Sequence, residues 1–408
     1  MTFPDKLNIP EDVLDIARAL DQAGYEVWCV GGAIRDALVG AGAGGHPLRP
    51  ADIDFTTSAR PEQVQALFGP KRSVLVGVRH GTVGVLDRRR ELHEVTTFRR
   101  DVATDGRHAV VVHEGVTLEE DLARRDFTIN AIAYHPFRHE WRDPFGGAAD
   151  LEHGIVRAVG VPAARFREDY LRILRALRFA ARFEFTIDAA TWAAAREAAP
   201  GLAQLSAERV HDEWFKGLGT ARSVAKLVQL WRDVGAAAIW IPELEHAPPG
   251  GTGYSIAEAN RDPRDPVLLT ALLCANAGPV LERLRGSNAE IGRAQVIAGA
   301  PGEPADDTPA AVRRWLAAAG AAADDLLALW RLRRGADAPW SGTVAETRRR
   351  GDPLARGDLA IDGNDLIALG VPRGPRVGQV LDQLLERVLD DPSLNTRERL
   401  SALAKDLM

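Results

Sequence analysis

Apolar residues first recur at helical spacing over Glu11–Ala23, where Val13, Leu14, Ala17 and Leu20 form one stripe and Gly24 sits at a C-terminal cap position. Tyr25–Val30 reads as a strand entering the Gly31-Gly32 turn, and a short helix carrying Arg35 and Asp36 follows. Ala41–Pro50 is Gly/Pro-rich and predicts a surface loop. Strand patterns appear at Ile53–Thr57, Ser73–Val78, Thr82–Leu86 and Leu92–Thr97, with a helix over Pro61–Phe68 that opens on proline. Arg99–His108 is charged and aperiodic, contains Asp105-Gly106, and predicts a mobile loop. A last short strand is expected near Ile155–Val159. From Pro162 onward helices dominate, interrupted by Pro/Gly-rich breaks at His246–Tyr254, Gly299–Pro309 and Gly335–Gly342. Val377, Val380, Leu381, Leu384, Leu385, Val388 and Leu389 mark an amphipathic helix near the C-terminus. The expected class is α+β, a small mixed sheet followed by an all-helical part.

Composition narrows this picture without redirecting it. A chain of 408 residues, 46% apolar and 26% charged, has the balance of a soluble protein with two to four domains. No apolar run reaches the ~18 residues of a membrane span. Met1–Pro10 lacks a basic n-region and an apolar h-region, so the cytoplasm is the expected location. Cys29 and Cys274 are the only cysteines, which excludes a disulfide framework or a cysteine zinc site. A net charge of −6 argues against nonspecific coating of nucleic acid, though not against a basic groove on one face.

The chemistry concentrates between Trp28 and Ser58. Asp52 and Asp54 are two apart, and on a strand such residues face one side. Two adjacent carboxylates repel unless one takes a proton or a cation sits between them. A divalent metal resolves that conflict. With the Gly31-Gly32 turn at a helix start, the pair is suited to a magnesium-bound triphosphate. Both glycines let the backbone approach phosphate, and Arg35, one turn into the helix, is expected to neutralise the β- and γ-phosphates.

Several further motifs occur in a telling order. VGGAIRDALVG, DIDFTTSA, HGTVGVL, EVTTFRRD, DGRHA, DLARRDFTINAIAY, DPFGGAADL and EDYLRILRALRFAARF run from the first strand into the helical part. LSAERV, LRGSNAE and DLIALGVPRGPRVGQVL extend the pattern toward the C-terminus. Together they resemble the class II tRNA nucleotidyltransferases, the bacterial CCA-adding enzymes, with bacterial poly(A) polymerase as a close relative. The resemblance implies a DNA polymerase β-like nucleotidyltransferase head (1–160), then helical neck (161–220), body (221–300) and tail (301–408). The linker between Asp36 and Asp52 is longer than that pattern usually has.

By that resemblance, Asp52 and Asp54 hold two Mg²⁺ ions, and Glu94 is the third carboxylate. Arg125, Asp126 and Asn130 match a second nucleotide-contacting set, with Asp126 or Asn130 bonding the ribose 2′-OH. Arg124 is read as a solvated neighbour, and Asp143, Gly146 and Gly147 as either a structural turn or a functional one. Arg99–His108 corresponds to a flexible loop whose presence speaks against a CC-only enzyme.

Asp169 and Arg172, three apart on an expected helix, should pair and read a base edge. Arg donates to the ring nitrogen of C or A, and Asp accepts from the exocyclic amine. U and G oppose both contacts, each mismatch costing roughly 1–3 kcal/mol. Arg175 and Arg178 continue at the same spacing but drift by ~60° per step around the axis. They are expected to hold phosphates or to brace Asp169. The expected partners are CTP, ATP and the tRNA acceptor end, with Mg²⁺ as cofactor and neither a membrane nor a protein partner. Arg283, Arg285, Arg331, Arg333, Arg334, Arg373 and Arg376 are candidate RNA contacts. Addition of the 3′-terminal CCA leads. An A-adding enzyme, a poly(A) polymerase and an inactive RNA-binding homologue remain as alternatives.

Overall fold

The computed structural model describes residues 2–41, 53–77, 81–104, 109–246, 264–274 and 276–407. Asp52, Val78–His80, Asp105–His108 and nearly all of the 41–50 loop therefore lie outside the described residues. The chain divides into two compact units, Met1–Glu245 and His246–Met408.

The first unit is built on seven strands: β1 (Val27–Val30), β2 (Asp54–Thr57), β3 (Ser73–Gly77), β4 (Thr82–Leu86), β5 (Leu92–Thr97), β8 (Ala133–His135) and β9 (Glu140–Arg142). Their order is β3-β4-β5-β2-β1-β8-β9, and β2 against β5 is the parallel pairing in an otherwise antiparallel sheet. Strands β8 and β9 were not expected; at three residues each they are too short for an alternating pattern to show. The expected loop after Thr97 is instead a hairpin of β6 (Arg100–Thr104) and β7 (Ala109–Val112). Asp105–His108 of the expected loop lie outside the described residues, and charged Arg100 and Asp101 hid the strand character of β6.

Register decides what each sheet face carries. Phe55 pairs with Val95 and Thr56 with Thr96, while Val30 pairs with Asp54 and Gly84 with Glu94. Alternation therefore puts Val30, Asp54, Thr56, Glu94 and Thr96 on one face. Phe55, His93, Val95, Val83 and Val85 lie on the other. Trp28 and Val30 pack with Phe98, Leu118, Leu122 and Val159 over the first face. Helices α1 (Glu11–Gln22), α2 (Gly32–Ala41) and α3 (Pro61–Phe68) precede β1, β2 and β3 in the chain, and α4 (Leu118–Ala123) enters through the Thr117–Glu120 capping box.

Two short strands, β10 (Ile155–Val156) and β11 (Thr186–Ile187), pair in parallel where the chain becomes helical. Between the sheet and β10, α5 (Gly147–His153) starts at a tight corner. The Asp143 carboxylate accepts from the backbone N–H groups of Gly147 and Ala148 at 2.7 and 2.9 Å. Gly147 fits because a Cβ there would sit 2.2 Å from the Thr128 carbonyl oxygen. These contacts give Asp143, Gly146 and Gly147 the structural role. Helices α6 (Pro162–Glu168), α7 (Leu171–Phe183), α8 (Ala189–Ala198), α9 (Ala207–Thr220) and α10 (Val224–Val234) follow, with Trp214 and Trp231 stacked edge to face in their core at 4.9 Å.

The second unit is helical among its described residues. Trp315, Trp340 and Val344 centre one core, and Val380, Leu384 and Val388 of the Pro375–Asp390 helix centre another with Leu366 and Leu400. The expected amphipathic stripe is the buried one.

Gly147→Ala should cost about 3 kcal/mol or more in urea unfolding, since the backbone itself must move. Gly146→Ala, which meets only open space at φ 73°, should cost roughly 1–2 kcal/mol. Equal losses in the two variants would contradict the close contact with Thr128.

Candidate functional site

Strand β1 delivers the chain into Gly31, whose φ of 80° requires glycine, and α2 begins at Gly32. A Cβ on Gly31 would lie 3.7 Å from both Asp54 Oδ2 and Arg125 Nη1. One carboxylate and one guanidinium thus converge on bare backbone. Arg125 is loosely held: Nη2 reaches Asp121 at 3.4 Å, Nη1 reaches the Asn130 carbonyl at 3.5 Å, and Nε has no hydrogen-bond partner among the described residues. Burial pushes its pKa below the ordinary arginine range, against the pull of Asp121. Glu94 is exposed on the strand beside Asp54 and shares its face. Asp52 lies outside the described residues.

Arg35 is placed differently from expectation. Only 3% exposed, it donates to Asp36 at 2.8 Å and to Asn130 Oδ1 at 2.7 Å. Its guanidinium lies over the rings of Phe179 and Phe183 at 4.8 and 5.0 Å. Desolvation lowers its pKa to about 10, opposed by Asp36, so it remains charged at neutral pH. It braces the glycine turn from inside rather than meeting phosphate.

Asn130 spans Arg35 and Asp126, accepting from the first and donating to Asp126 Oδ1 at 2.9 Å. Asp126 Oδ1 also accepts from the Phe127 N–H, and Oδ2 accepts from Arg175 Nε and Nη2 at 2.8 and 2.7 Å. Those four contacts use the lone pairs of the carboxylate, so Asp126 is not positioned as a ribose acceptor. Burial works to raise its pKa, but Arg175 and the hydrogen bonds hold it at about 2.

The neck departs further from the helical expectation. Asp169 is extended (φ −156°, ψ 106°) between α6 and α7, because its Oδ1 and carbonyl accept from the first N–H groups of α7. It therefore does not pair with Arg172. Oδ2 of Asp169 takes Arg209 at 2.7 Å, whereas Arg172 pairs with Glu168 at 2.6 Å and donates to the carbonyls of Arg165 and Arg124 at 3.0 Å. Arg178 is 8% exposed and bonded to Glu213 at 2.6 Å, while Arg175 is bound to Asp126 and is also drawn electrostatically to Asp169. Arg124, expected in solvent, is held by Asp121 through both Nε and Nη2.

The segment 27–157 matches the family model of the poly A polymerase head domain, and 184–247 that of the probable RNA and SrmB-binding site of polymerase A. The CCA-adding enzyme of Geobacillus kaustophilus is 36% identical, over 96% of this chain and 96% of that protein. The chain belongs to the CCA-adding enzyme family. The CCA-adding enzyme of Streptococcus mutans is 44% identical across 50% of this chain and 49% of its own length. The crystal structure of the Bacillus stearothermophilus CCA-adding enzyme in complex with CTP has a TM-score of 0.79 at 32% identity, covering 97% of each chain. The Thermotoga maritima CCA-adding enzyme complexed with tRNA shares the fold, with a TM-score of 0.63 at 19% identity over 98% and 95% of the two chains.

CCA-adding enzymes are nucleotidyltransferases of a kind that generally uses a divalent metal. The oxygen donors of Asp54 and Glu94 on one sheet face fit a hard cation. Two functional supports escaped the sequence reading. Asp121, fully buried, gathers Arg124, Arg125 and Thr56, and its i+3 and i+4 spacing to the arginines was a readable signal. Glu213 lies 35 residues from Arg178 and carried no such signal. Of the arginines considered for RNA, Arg331 pairs with Asp337, Arg376 donates to the Leu407 carbonyl at 2.6 Å, and Arg334 lies 5.1 Å over Trp330.

The depressed pKa of Asp126 sets a pH signature. Its contribution is complete above the ordinary carboxylate value of ~3.9 and drains away as pH falls toward 2. Asp126→Asn should lose roughly 2 kcal/mol at pH 7 and show a shallower fall in stability between pH 4 and 2. Urea unfolding at stepped pH measures this, and an unchanged acid limb would contradict the assignment.

Proposed function

We propose that this protein builds and repairs the 3′-terminal CCA of tRNA, taking CTP and ATP and releasing pyrophosphate. The convergence of Asp54 and Arg125 on the side-chain-free Gly31 carries this reading, since it joins a metal-type carboxylate to a phosphate-type cation. Family membership supplies the reaction class. The enzyme works in the cytoplasm; no helix among the described residues is long and apolar enough to cross a membrane. Residues 1–160 serve as catalytic head, 161–220 as neck, 221–300 as body and 301–408 as the tail that meets tRNA.

In this scheme Asp52 and Asp54 would hold the metal, and Mg²⁺ there would neutralise charge on the triphosphate and acidify the attacking 3′-hydroxyl. Glu94 accepts the proton of that hydroxyl as it attacks the α-phosphorus. Gly31 and Gly32 admit the triphosphate to backbone N–H groups, and Arg125 leaves its long hydrogen bonds for a phosphate oxygen. Arg35, Asp126, Arg175 and Arg178 position these groups. Asn130 keeps one amide N–H for a ribose hydroxyl. Asp169 and Arg172 read the base without pairing with each other: Arg172 exchanges Glu168 for the ring nitrogen, and Asp169 exchanges Arg209 for the exocyclic amine.

Purified protein given tRNA lacking CCA, with CTP and ATP, should extend it by three nucleotides. Growth on CC-ended tRNA alone would replace this reading by A-addition, and long A tails on generic RNA would replace it by poly(A) synthesis. Asp54→Ala should abolish transfer with tRNA binding nearly intact. Arg125→Ala should raise KM for CTP and ATP alike by about 10–100-fold. Arg172→Ala should lower discrimination against UTP by a similar factor, and intact selectivity in that variant would remove the base-reading role.

A further inference from the structure

The turn between β4 and β5 gathers three side chains that the transfer reaction does not use. Asp87, Glu91 and His93 each place one ligand-capable atom within 4.8 Å of the other two. Each of the three also has a buried atom without a hydrogen-bond partner among the described residues: Asp87 Oδ2, Glu91 Oε2 and His93 Nε2. The Asp87 and His93 side chains are fully buried. Such groups are costly to leave unsatisfied.

Their protonation sharpens the point. His93 Nδ1 lies 3.1 Å from the Ile53 carbonyl oxygen, which only accepts, so Nδ1 donates there and Nε2 is the ring nitrogen left for a second partner. Nε2 faces Asp87 Oδ2 at 3.6 Å. Asp87 Oδ1 meanwhile accepts from the N–H groups of Arg89 and Glu91, both at 2.8 Å, which aims Oδ2 inward. Arg88 and Arg89 turn away to Asp15 and Asp12 of α1. Three buried polar atoms thus stand without a hydrogen-bond partner among the described residues. A second proton on His93 would satisfy Asp87 and leave Glu91 Oε2 unmatched, whereas one cation satisfies all three.

We propose that Asp87, Glu91 and His93 form a structural site for a zinc-type divalent ion. One imidazole nitrogen and two carboxylate oxygens are a zinc-type donor set, and tetrahedral bonds of ~2.0–2.2 Å place ligand atoms ~3.3 Å apart, close to the 3.6 Å found. The Ile53 carbonyl supplies the outer contact that orients a metal-bound imidazole. The site lies on the sheet face opposite Asp54, so it is separate from the transfer centre and stands whether or not the CCA reading holds. It locks the β4–β5 turn to Ile53, the residue directly before Asp54, and holds the strand segment from which Glu94 faces the other side.

The test uses full-length protein stripped with chelator and titrated with Zn²⁺, read by calorimetric stoichiometry and thermal unfolding. Wild type should bind one equivalent at this site and gain roughly 5 °C. Glu91→Gln, at the less buried edge, should fold and bind more than about tenfold more weakly. His93→Gln should lose the equivalent, and Asp54→Ala should retain it. If His93→Gln does not fold, the Glu91→Gln affinity decides. Failure of wild type to bind Zn²⁺, or unchanged affinity in Glu91→Gln, would overturn the site. So would loss of the equivalent in Asp54→Ala, or an equal stabilisation by Mg²⁺.

Discussion

The first unit depends on a partly buried chain of arginines and carboxylates around two stacked phenylalanines. Phe179 and Phe183 of α7 lie 6.3 Å apart, and the guanidinium groups of Arg35, Arg175, Arg178 and Arg182 sit over one or both rings. Four cations in so small a volume repel unless anions are interleaved. Asp36, Asp126 and Glu213 provide them, from α2, from the segment before β8 and from α9. Removing one member leaves a buried charge without a partner, which is far worse than never having placed the pair. The glycine turn is thereby tied to α7 through side chains rather than backbone.

That constraint separates two kinds of arginine in the same motifs. Arg35 and Arg178 are committed to the interior, with short contacts and aromatic faces. Arg125 has long contacts and an unpaired Nε, and it faces Gly31. Arg172 is intermediate, held by Glu168 and by two carbonyl oxygens, partners that a base edge is able to replace. An arginine that binds ligand must have weak enough contacts to give up; one that positions others must not.

The sheet imposes a second division. Parallel pairing of β2 with β5 brings Asp54 beside Glu94 on one face, and the same alternation sends His93 to the other. Adjacent residues in one strand thus face two places, the side that carries Asp54 and a turn tied to Ile53. Movement of β5 would disturb both, which is why unsatisfied acceptors at Asp87 and Glu91 matter for a carboxylate that faces away from them.

The sequence alone determined the change from a small mixed sheet to helices, the glycine turn and the family, because these rest on local spacing and on motifs in series. It also determined the buried stripe of the Pro375–Asp390 helix, since a period of 3.6 is a local property. The Trp28–Ser58 stretch still holds the glycine turn and Asp54. Only tertiary structure decided which charged groups pair. Asp169 has an i+3 neighbour in Arg172 yet takes Arg209, because the chain leaves the helix at Asp169 to start α7. Arg35 and Asp126 read as ligand contacts in isolation and became internal braces, since their partners lie 49 to 95 residues away. Ion pairing follows distance in space and the cost of burying charge, and neither is written in the spacing of residues along a chain.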